Sequence, residues 1–239
     1  CRFCQAGTIY RPVRERPREE VVPAVGEIIA NCGYDEVSLL SLSTSDYPGI
    51  GELVAELSRC YPNLTISLPS LRPNSYSVSL LDSLSSQRKP GLTFAPEAGS
   101  QRLRQVINKN IADDEVLAAA ATAFDYGWTT LKLYFMVGLP TETIEDVGSI
   151  VQLVTKIGAL GRKAAGRRPQ IRVSVATFVP KPHTPFQWVA QQSEDKLNEA
   201  QQRLQSGLRR KGIRLSWSDT KTSLLEAVLS RGDRRLGQV

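Results

Sequence analysis

The sequence predicts an α/β fold in which parallel strands alternate with helices. Three observations carry this prediction. Short β-forming runs recur between longer runs of helical periodicity, which argues for right-handed β–α–β crossovers. The strands read as apolar on both faces, as parallel strands covered by helices should. Their interiors, such as Leu131-Lys132-Leu133-Tyr134-Phe135-Met136, are rich in apolar and aromatic residues and too short for helices.

Residues 18–32 read as a helix closed by Gly33, which takes the left-handed conformation readily. Residues 36–42 (EVSLLSL) read as a strand, 49–60 as a helix and 64–68 (LTISL) as a second strand. A helix is expected around 74–87 and a third strand at 91–95 (GLTFA). The helical region from 98 to 126 breaks near Asn110; Asp113 is the expected N-cap of its second part and Gly127 its close. Residues 129–137 (TTLKLYFMV) form the fourth strand. Thr143 is the expected N-cap of a long helix over 143–163, and a loop runs from Ala165 to Pro169. Residues 171–178 (IRVSVATF) make the fifth strand. The segment from Val179 to Phe186 is Pro-rich and extended. A polar helix over 193–211, a strand at 213–217 and a final helix from 219 follow. The expected organisation is a core over 1–188 and a C-terminal extension over 189–239.

A chain of 239 residues, 41% hydrophobic, suits one large α/β domain, with or without an appendage. No apolar run approaches the roughly 20 residues that span a bilayer, and no signal peptide opens the chain. The chain begins with Cys1 and ends at Val239 without a helix stop, so a piece of a longer protein is expected. Net charge is +6. Part of it lies in Arg162-Lys163, Arg167-Arg168, Arg209-Arg210-Lys211 and Arg234-Arg235. Such an excess suits an RNA or DNA partner. The same runs fall where helices should end, where the helix dipole favours cations. No aromatic residues interleave with them as a single-strand stacking platform requires.

The four cysteines do not form a disulfide framework, and the expected compartment is a reducing cytoplasm. Cys32 and Cys60, near helix ends, are expected to be buried structural thiols. The one histidine, His183, argues against His-rich metal sites and against a Ser-His-Asp triad. Cys1 and Cys4 form a C-x-x-C pair, which alone is compatible with zinc, a disulfide or an iron–sulfur cluster. A thioredoxin-like pair would open a helix after a strand, whereas Gln5-Ala6-Gly7-Thr8 and Arg11-Pro12 read as a loop. A zinc site would need two further ligands nearby.

Cys1-Arg2-Phe3-Cys4-Gln5-Ala6-Gly7 resembles the second half of the C-x-x-x-C-x-aromatic-C loop of radical S-adenosylmethionine (SAM) enzymes. Three further segments resemble methylthiotransferase-like and cobalamin-associated members of that family. Pro96-Glu97-Ala98-Gly99-Ser100 and the helix from Arg102 to Lys109 are similar to their E-x-G-S segment. Phe135-Met136-Val137-Gly138-Leu139-Pro140-Thr141-Glu142-Thr143 is similar to their hydrophobic-G-L-P-G-E-T strand end, with Thr141 in place of the usual Gly. Phe178-Val179-Pro180-Lys181-Pro182-His183-Thr184-Pro185 is similar to their sixth-strand segment. Ser43-Thr44-Ser45-Asp46 departs from the Gly-Gly-Glu motif expected at its position. The resemblance extends to about Trp188 and is closest to an uncharacterised bacterial subfamily with an N-terminal cobalamin-binding-like domain.

The resemblance implies a partial (β/α)6 TIM-like barrel of the radical SAM type lacking its first strand, with chemistry at the C-terminal strand ends. It implies that Cys1 and Cys4 are metal ligands of a 4Fe–4S cluster, the remaining cysteine lying four residues before Cys1. Phe3 would lie beside the adenine of SAM. The implied cofactor contacts are Ser43, Thr44, Glu97, Lys132, Met136, Gly138 and Val179. Glu97 would hold a ribose or a cation, or else serve the following helix N-terminus. Lys132, if it points into the barrel, needs an anionic partner. His183 is a candidate for the substrate side. The implied activity is one-electron cleavage of SAM to methionine and a 5′-deoxyadenosyl radical, used on an RNA or protein in methylthiolation or methyl transfer. Implied partners are a reductase or flavodoxin-type electron donor, with cobalamin in the full-length protein. The rival class is a metal- or nucleic-acid-binding (β/α) barrel without radical chemistry.

Overall fold

The computed structural model describes residues 1–69, 71–73, 80–81, 91–166 and 168–238. The chain enters through a short turn of helix, α1 (Ala6–Ile9), and α2 (Arg18–Cys32). Gly33 closes α2 at φ 67°, its N–H on the Ile29 carbonyl at 2.9 Å. Strand β1 (Glu36–Ser38) is shorter than the apolar run that announces it. Leu39 still donates to Ser67 O at 3.0 Å, but the Thr44 hydroxyl then captures the Leu39 carbonyl and folds the chain into a turn. Side-chain hydroxyls at Ser41 and Thr44 thus compete with the ladder and end it early.

Helix α3 (Ile50–Cys60) buries Ile50, Leu53, Val54 and Leu57, the spacing of one helical face. Each fully buried aliphatic there contributes about 1.5–3 kcal/mol relative to exposure. Strand β2 (Thr65–Ser67) pairs with β1 in parallel. The helix expected at 74–87 lies outside the described residues except for Leu80 and Leu81, which are buried in the core.

Strand β3 (Leu92–Glu97), helix α4 (Gln101–Val106) and helix α5 (Asp113–Asp125) follow. The break between the two helices falls where expected, but Ala112, not Asp113, occupies the N-cap of α5. Its N–H is met by the Glu115 carboxylate at 2.6 Å, because Asp113 is drawn into an ion pair with Arg104. Strand β4 (Thr130–Val137) leads to α6 (Ile144–Ala165), whose N-cap Thr143 accepts from Asp146 N as expected. Strand β5 (Gln170–Thr177), α7 (Glu194–Leu208), β6 (Ile213–Trp217) and α8 (Thr220–Arg231) complete the order.

Strands β3-β4-β5-β6 form one parallel sheet in sequence order. An isolated parallel bridge from Leu71 to Phe94 joins the segment after β2 to it. The architecture is the parallel, barrel-like α/β fold that the sequence predicts. Residues beyond 188 continue it: β6 pairs with β5, and α7 buries Leu197, Ala200, Leu204 and Leu208 in the main core.

The two faces of this sheet differ, contrary to the expectation of apolar faces on both sides. Leu131, Leu133, Phe135 and Val137 of β4, with Ile171, Val173 and Val175 of β5, are buried in the core they share with α5, α6 and α7. The opposite face carries Lys132, Tyr134, Arg172 and Ser174, half-buried or exposed. Among the described residues, the helices that pack on these strands cover the outer face, so that face needs to be apolar. No described helix is long and apolar enough to cross a membrane.

Candidate active site at the strand ends

The N-terminal cysteine loop is tied to the C-terminal ends of β3, β4 and β5. Arg2 N–H donates to Ile107 O at 2.8 Å and its guanidinium to Val106 O at 2.6 Å. Phe186 N–H donates to Arg2 O at 3.2 Å. Gln5 Nε2 donates to Pro182 O at 3.1 Å, and Thr8 Oγ1 to His183 O at 3.0 Å. Beneath the loop lies a small apolar cluster of Ala98, Leu103, Ile107, Leu139, Phe178 and Phe186, on which Phe3 and Met136 both pack. The Phe178 and Phe186 rings meet edge to face, centroids 6.0 Å apart. Cys1 is exposed and Cys4 half-buried, the two joined by a turn in which Cys4 N–H meets Cys1 O at 3.3 Å.

The end of β3 is built by close packing. Glu97 stands at φ 67° and pairs with Lys109 at 3.0 Å. Gly99 lies against the backbone of α6, where a Cβ would come within 2.2 Å of Ile150 N. Ser100 caps α4, accepting from Leu103 N at 3.2 Å and donating to Asp146. Arg104 is fully buried and donates to Ala98 O, Gly99 O and Ile111 O at 2.9, 3.2 and 2.8 Å, besides pairing with Asp113. One guanidinium thus pins the strand end to the start of α5.

At the end of β4, Gly138 takes φ 80° and donates its N–H to Glu142 Oε2 at 2.5 Å. Burial pushes the Glu142 carboxyl up to about 8; the Gly138 N–H opposes this and the nearby Asp146 charge adds to it. Asp146 is buried as well, and burial alone would raise it. Hydrogen bonds from Ser100, the Thr143 backbone and Arg102 instead hold it below the ordinary carboxylate range. Thr141 sits at φ 64°, a region β-branched residues avoid. Arg102 clasps it there, reaching Thr141 Oγ1 at 3.1 Å and Thr141 O at 2.9 Å.

A cavity of about 430 Å³ opens on the concave side, lined among others by Ser43, Thr93, Glu97, Lys109, Lys132 and Tyr134. That volume suits a small-molecule or substrate site. The Ser43 hydroxyl is buried and meets no hydrogen-bond partner among the described residues. The Thr44 hydroxyl, by contrast, is buried and spent on Leu39 O at 3.2 Å. Ser45 and Asp46 hold Arg72, through its N–H at 2.9 Å and its guanidinium at 3.3 Å.

Of the residues singled out from the sequence, Ser43, Glu97 and Lys132 meet in this cavity, while Phe3 and Met136 pack on the cluster at the strand ends, with Cys1 and Cys4 in the loop that carries Phe3. Gly138 lies at the same ends, but the close approach it permits is to Leu197, 2.9 Å from a Cβ placed there. Val179 is buried just after β5. His183 is exposed at φ 61°, and its backbone carries its contacts, the N–H on Gln187 Oε1 at 3.2 Å. Cys32 and Cys60 are exposed, not buried as expected: each falls in the last turn of its helix, beyond the buried face that in α3 closes at Leu57. Among the described residues no group of three or more His, Cys, Asp or Glu side chains converges as a metal site. Sequence reasoning missed Lys109, Arg104 and Glu142 as parts of the site. All three lie inside the resembling segments, but what they touch depends on the tertiary fold.

These features define a barrel-like parallel α/β fold with a cysteine-bearing loop over the C-terminal ends of its strands. Residues 1–154 match the model of the radical SAM superfamily, and the chain belongs to that superfamily. An uncharacterised protein of Methanocaldococcus jannaschii is 33% identical over 238 residues, covering 100% of this chain and 50% of that one. The ribosomal protein uS12 methylthiotransferase RimO of Treponema denticola is 22% identical over 186 residues, covering 67% of this chain and 40% of RimO. The chain thus spans half or less of the length of these curated relatives. Streptococcus suis SuiB superposes with a TM-score of 0.60 at 13% identity, covering 95% of this chain and 48% of SuiB. Methylornithine synthase PylB gives 0.59 at 15% identity, covering 98% and 69%. These likenesses concern the fold.

Proposed function

We propose that this chain is the core of a radical SAM enzyme that holds a 4Fe–4S cluster through Cys1 and Cys4 and binds SAM across the strand ends. The substrate would occupy the adjoining 430 Å³ cavity. The observation that carries the reading is the anchoring of the cysteine loop. Its Arg2 is tied to Ile107 on one side and to Phe186 on the other, which supports a reading in which the flanking thiols serve a cofactor at the strand ends.

The residues present fit the cofactors in part. Two thiols on one turn offer the soft donors that iron–sulfur clusters take, and the turn leaves both within reach of solvent or ligand. The further ligand is expected from the cysteine that the family loop carries four residues before Cys1. Ser43 supplies an unpartnered buried hydroxyl suited to a SAM polar group. When bound, the cluster and SAM would supply one-electron radical chemistry at the strand ends. The chain's own residues position and shield. Phe3 and Met136 offer an apolar wall to adenine. Gly138 and Val179 give backbone at the strand ends, and Thr44 fixes the turn that presents Ser43. Glu97, held by Lys109, and Lys132 face the cavity and would contact ribose, carboxylate or substrate.

The catalytic core would span 1–188, with 189–239 as an extension continuing its sheet. Methylthiolation or methyl transfer on RNA or protein, with electrons from a reductase or flavodoxin-type donor, is the reaction class we favour. The proposal does not extend to cobalamin, for which neither this fold nor these relatives supplies support.

The test uses the protein at its full natural length, loaded anaerobically with iron and sulfide. SAM and dithionite are added and 5′-deoxyadenosine is quantified. Production that is lost in Cys1→Ala and Cys4→Ala, with iron content lowered and circular dichroism retained, is the expected result. A folded wild-type protein that holds no iron and cleaves no SAM would overturn the proposal.

A further inference from the structure

The concave face of the sheet is ordered in rows. Register pairs Lys132 of β4 with Arg172 of β5, and Arg172 with Arg214 of β6. Residues paired in register project from the same face, so three cations stand side by side, about 4.8 Å apart from strand to strand. Among the described residues none of the three has an ion-pair partner. The two other cations lining the adjoining cavity are matched, Lys109 by Glu97 and Arg72 by Asp46. Like charges directly across strands destabilise a sheet, so packing alone gives no reason for such a row.

The next row toward the strand ends is Tyr134, Ser174 and Ser216, again in register. It offers three hydroxyls; that of Ser216 also lies 3.5 Å from Val173 O. The row beyond holds Met136 and Ala176, and Met136 packs on the cluster under the cysteine loop. Two residues of strand rise about 6.6 Å, so the cation row lies about 13 Å from the Met136 level.

We infer that the Lys132–Arg172–Arg214 row, with the hydroxyl row beside it, seats a phosphate group of the substrate. Cations and hydroxyls together are the side chains that contact phosphate oxygens in nucleic-acid complexes. Three cations and three hydroxyls exceed what the two oxygens of one carboxylate can accept, whereas a phosphate or phosphodiester offers more acceptors and a fixed charge. The reacting part of the substrate would then lie about 13 Å away at the strand ends. The phosphate belongs to a phosphate ester or to a polynucleotide backbone, which share this chemistry. This inference rests on the proposed function for the use of the site, but binding can be measured without radical chemistry.

The experiment uses the full-length protein without SAM or reductant. A fluorescein-labelled single-stranded oligoribonucleotide is titrated by anisotropy at several salt concentrations, and inorganic pyrophosphate by calorimetry. The variants are Arg172→Gln, Arg214→Gln and the double variant, each checked by circular dichroism. One phosphate contact on a single strand contributes a salt slope of about 0.7, so each substitution should weaken oligonucleotide binding about fivefold at 0.1 M salt and lower the slope by about that amount. Weakening of both probes, or of pyrophosphate alone, supports the inference; the second pattern assigns the phosphate to a small ester. Loss confined to the oligonucleotide supports it with a polynucleotide source. Binding of neither probe, or variants that bind as tightly as the wild type, overturns it, whatever the outcome for SAM cleavage.

Discussion

Replacing Glu142 with Gln should flatten the dependence of stability on pH. Burial raises the Glu142 carboxyl from 4.5 to about 8. Between those values the folded protein keeps a proton that the unfolded chain has lost. Stability therefore falls as pH rises through this window, and the loss is complete above about pH 8. Each tenfold difference in proton affinity between the folded and unfolded chain corresponds to about 1.4 kcal/mol, so the rise to about 8 amounts to about 5 kcal/mol. Glu142 is only half-buried, and solvent screening brings the expected loss to roughly 2–3 kcal/mol. Gln keeps an acceptor for the Gly138 N–H, so the strand end should survive. Urea unfolding at pH 5 to 9.5 gives the comparison. The wild type should lose stability from pH 5 to about 8 and level off above it, while Glu142→Gln should stay level apart from changes common to both. Two curves that run parallel throughout would refute the assignment of the buried proton to Glu142.

Gly99→Ala should destabilise by about 3 kcal/mol, because the new methyl would meet backbone at Ile150 N and helix α6 would have to move. Gly237→Ala, with nothing within 4 Å, is the control, and equal urea midpoints for the two would refute the packing argument. Arg104→Met should cost about 2–4 kcal/mol, since it leaves the Ala98, Gly99 and Ile111 carbonyls without their donor, while the exposed Asp113 carboxylate is taken up by water. A loss below about 1 kcal/mol would mean that water replaces the guanidinium.

Most element boundaries were legible because they rest on local chemistry. Gly33 closes α2 and Thr143 opens α6 through their own backbone or side-chain groups, with no distant partner. Asp113 shows where local reasoning fails. It has the chemistry of an N-cap, yet it lies one position inside the helix with its carboxylate on Arg104, while Glu115 accepts from the N–H of Ala112. The run 36–42 reads as strand by composition, but hydroxyls at Ser41 and Thr44 divert its backbone after Leu39. Lys132 could not be oriented from sequence, since a lysine in an apolar strand fits either face. Its register with Arg172 settles the matter and reveals a row that no linear reading contains. The cysteine motif was legible as a motif. Its placement was not, because that depends on Arg2 and Gln5 reaching residues more than a hundred positions away.

The same dependence explains where the backbone is strained. Among the described residues, the non-glycine positions at positive φ are Glu97, Asn108, Thr141 and His183. Glu97 ends β3, Thr141 and His183 follow β4 and β5, and Asn108 follows Ile107, to which Arg2 is bonded. Such conformations cost roughly 1–3 kcal/mol each and persist only when the surroundings over-determine them. Here the holding contacts are specific: Lys109 on Glu97, Arg102 on Thr141, and Thr8 with Gln187 on the backbone of His183. Arg102 belongs to α4 and Lys109 to the turn just after it, while Thr8 belongs to α1, the turn of helix that follows the cysteine loop. The α4 segment and the N-terminal loop therefore brace the strand ends as one unit. A residue lost from either would release the strand end that it holds, so the geometry of this site rests on contacts from several motifs rather than one.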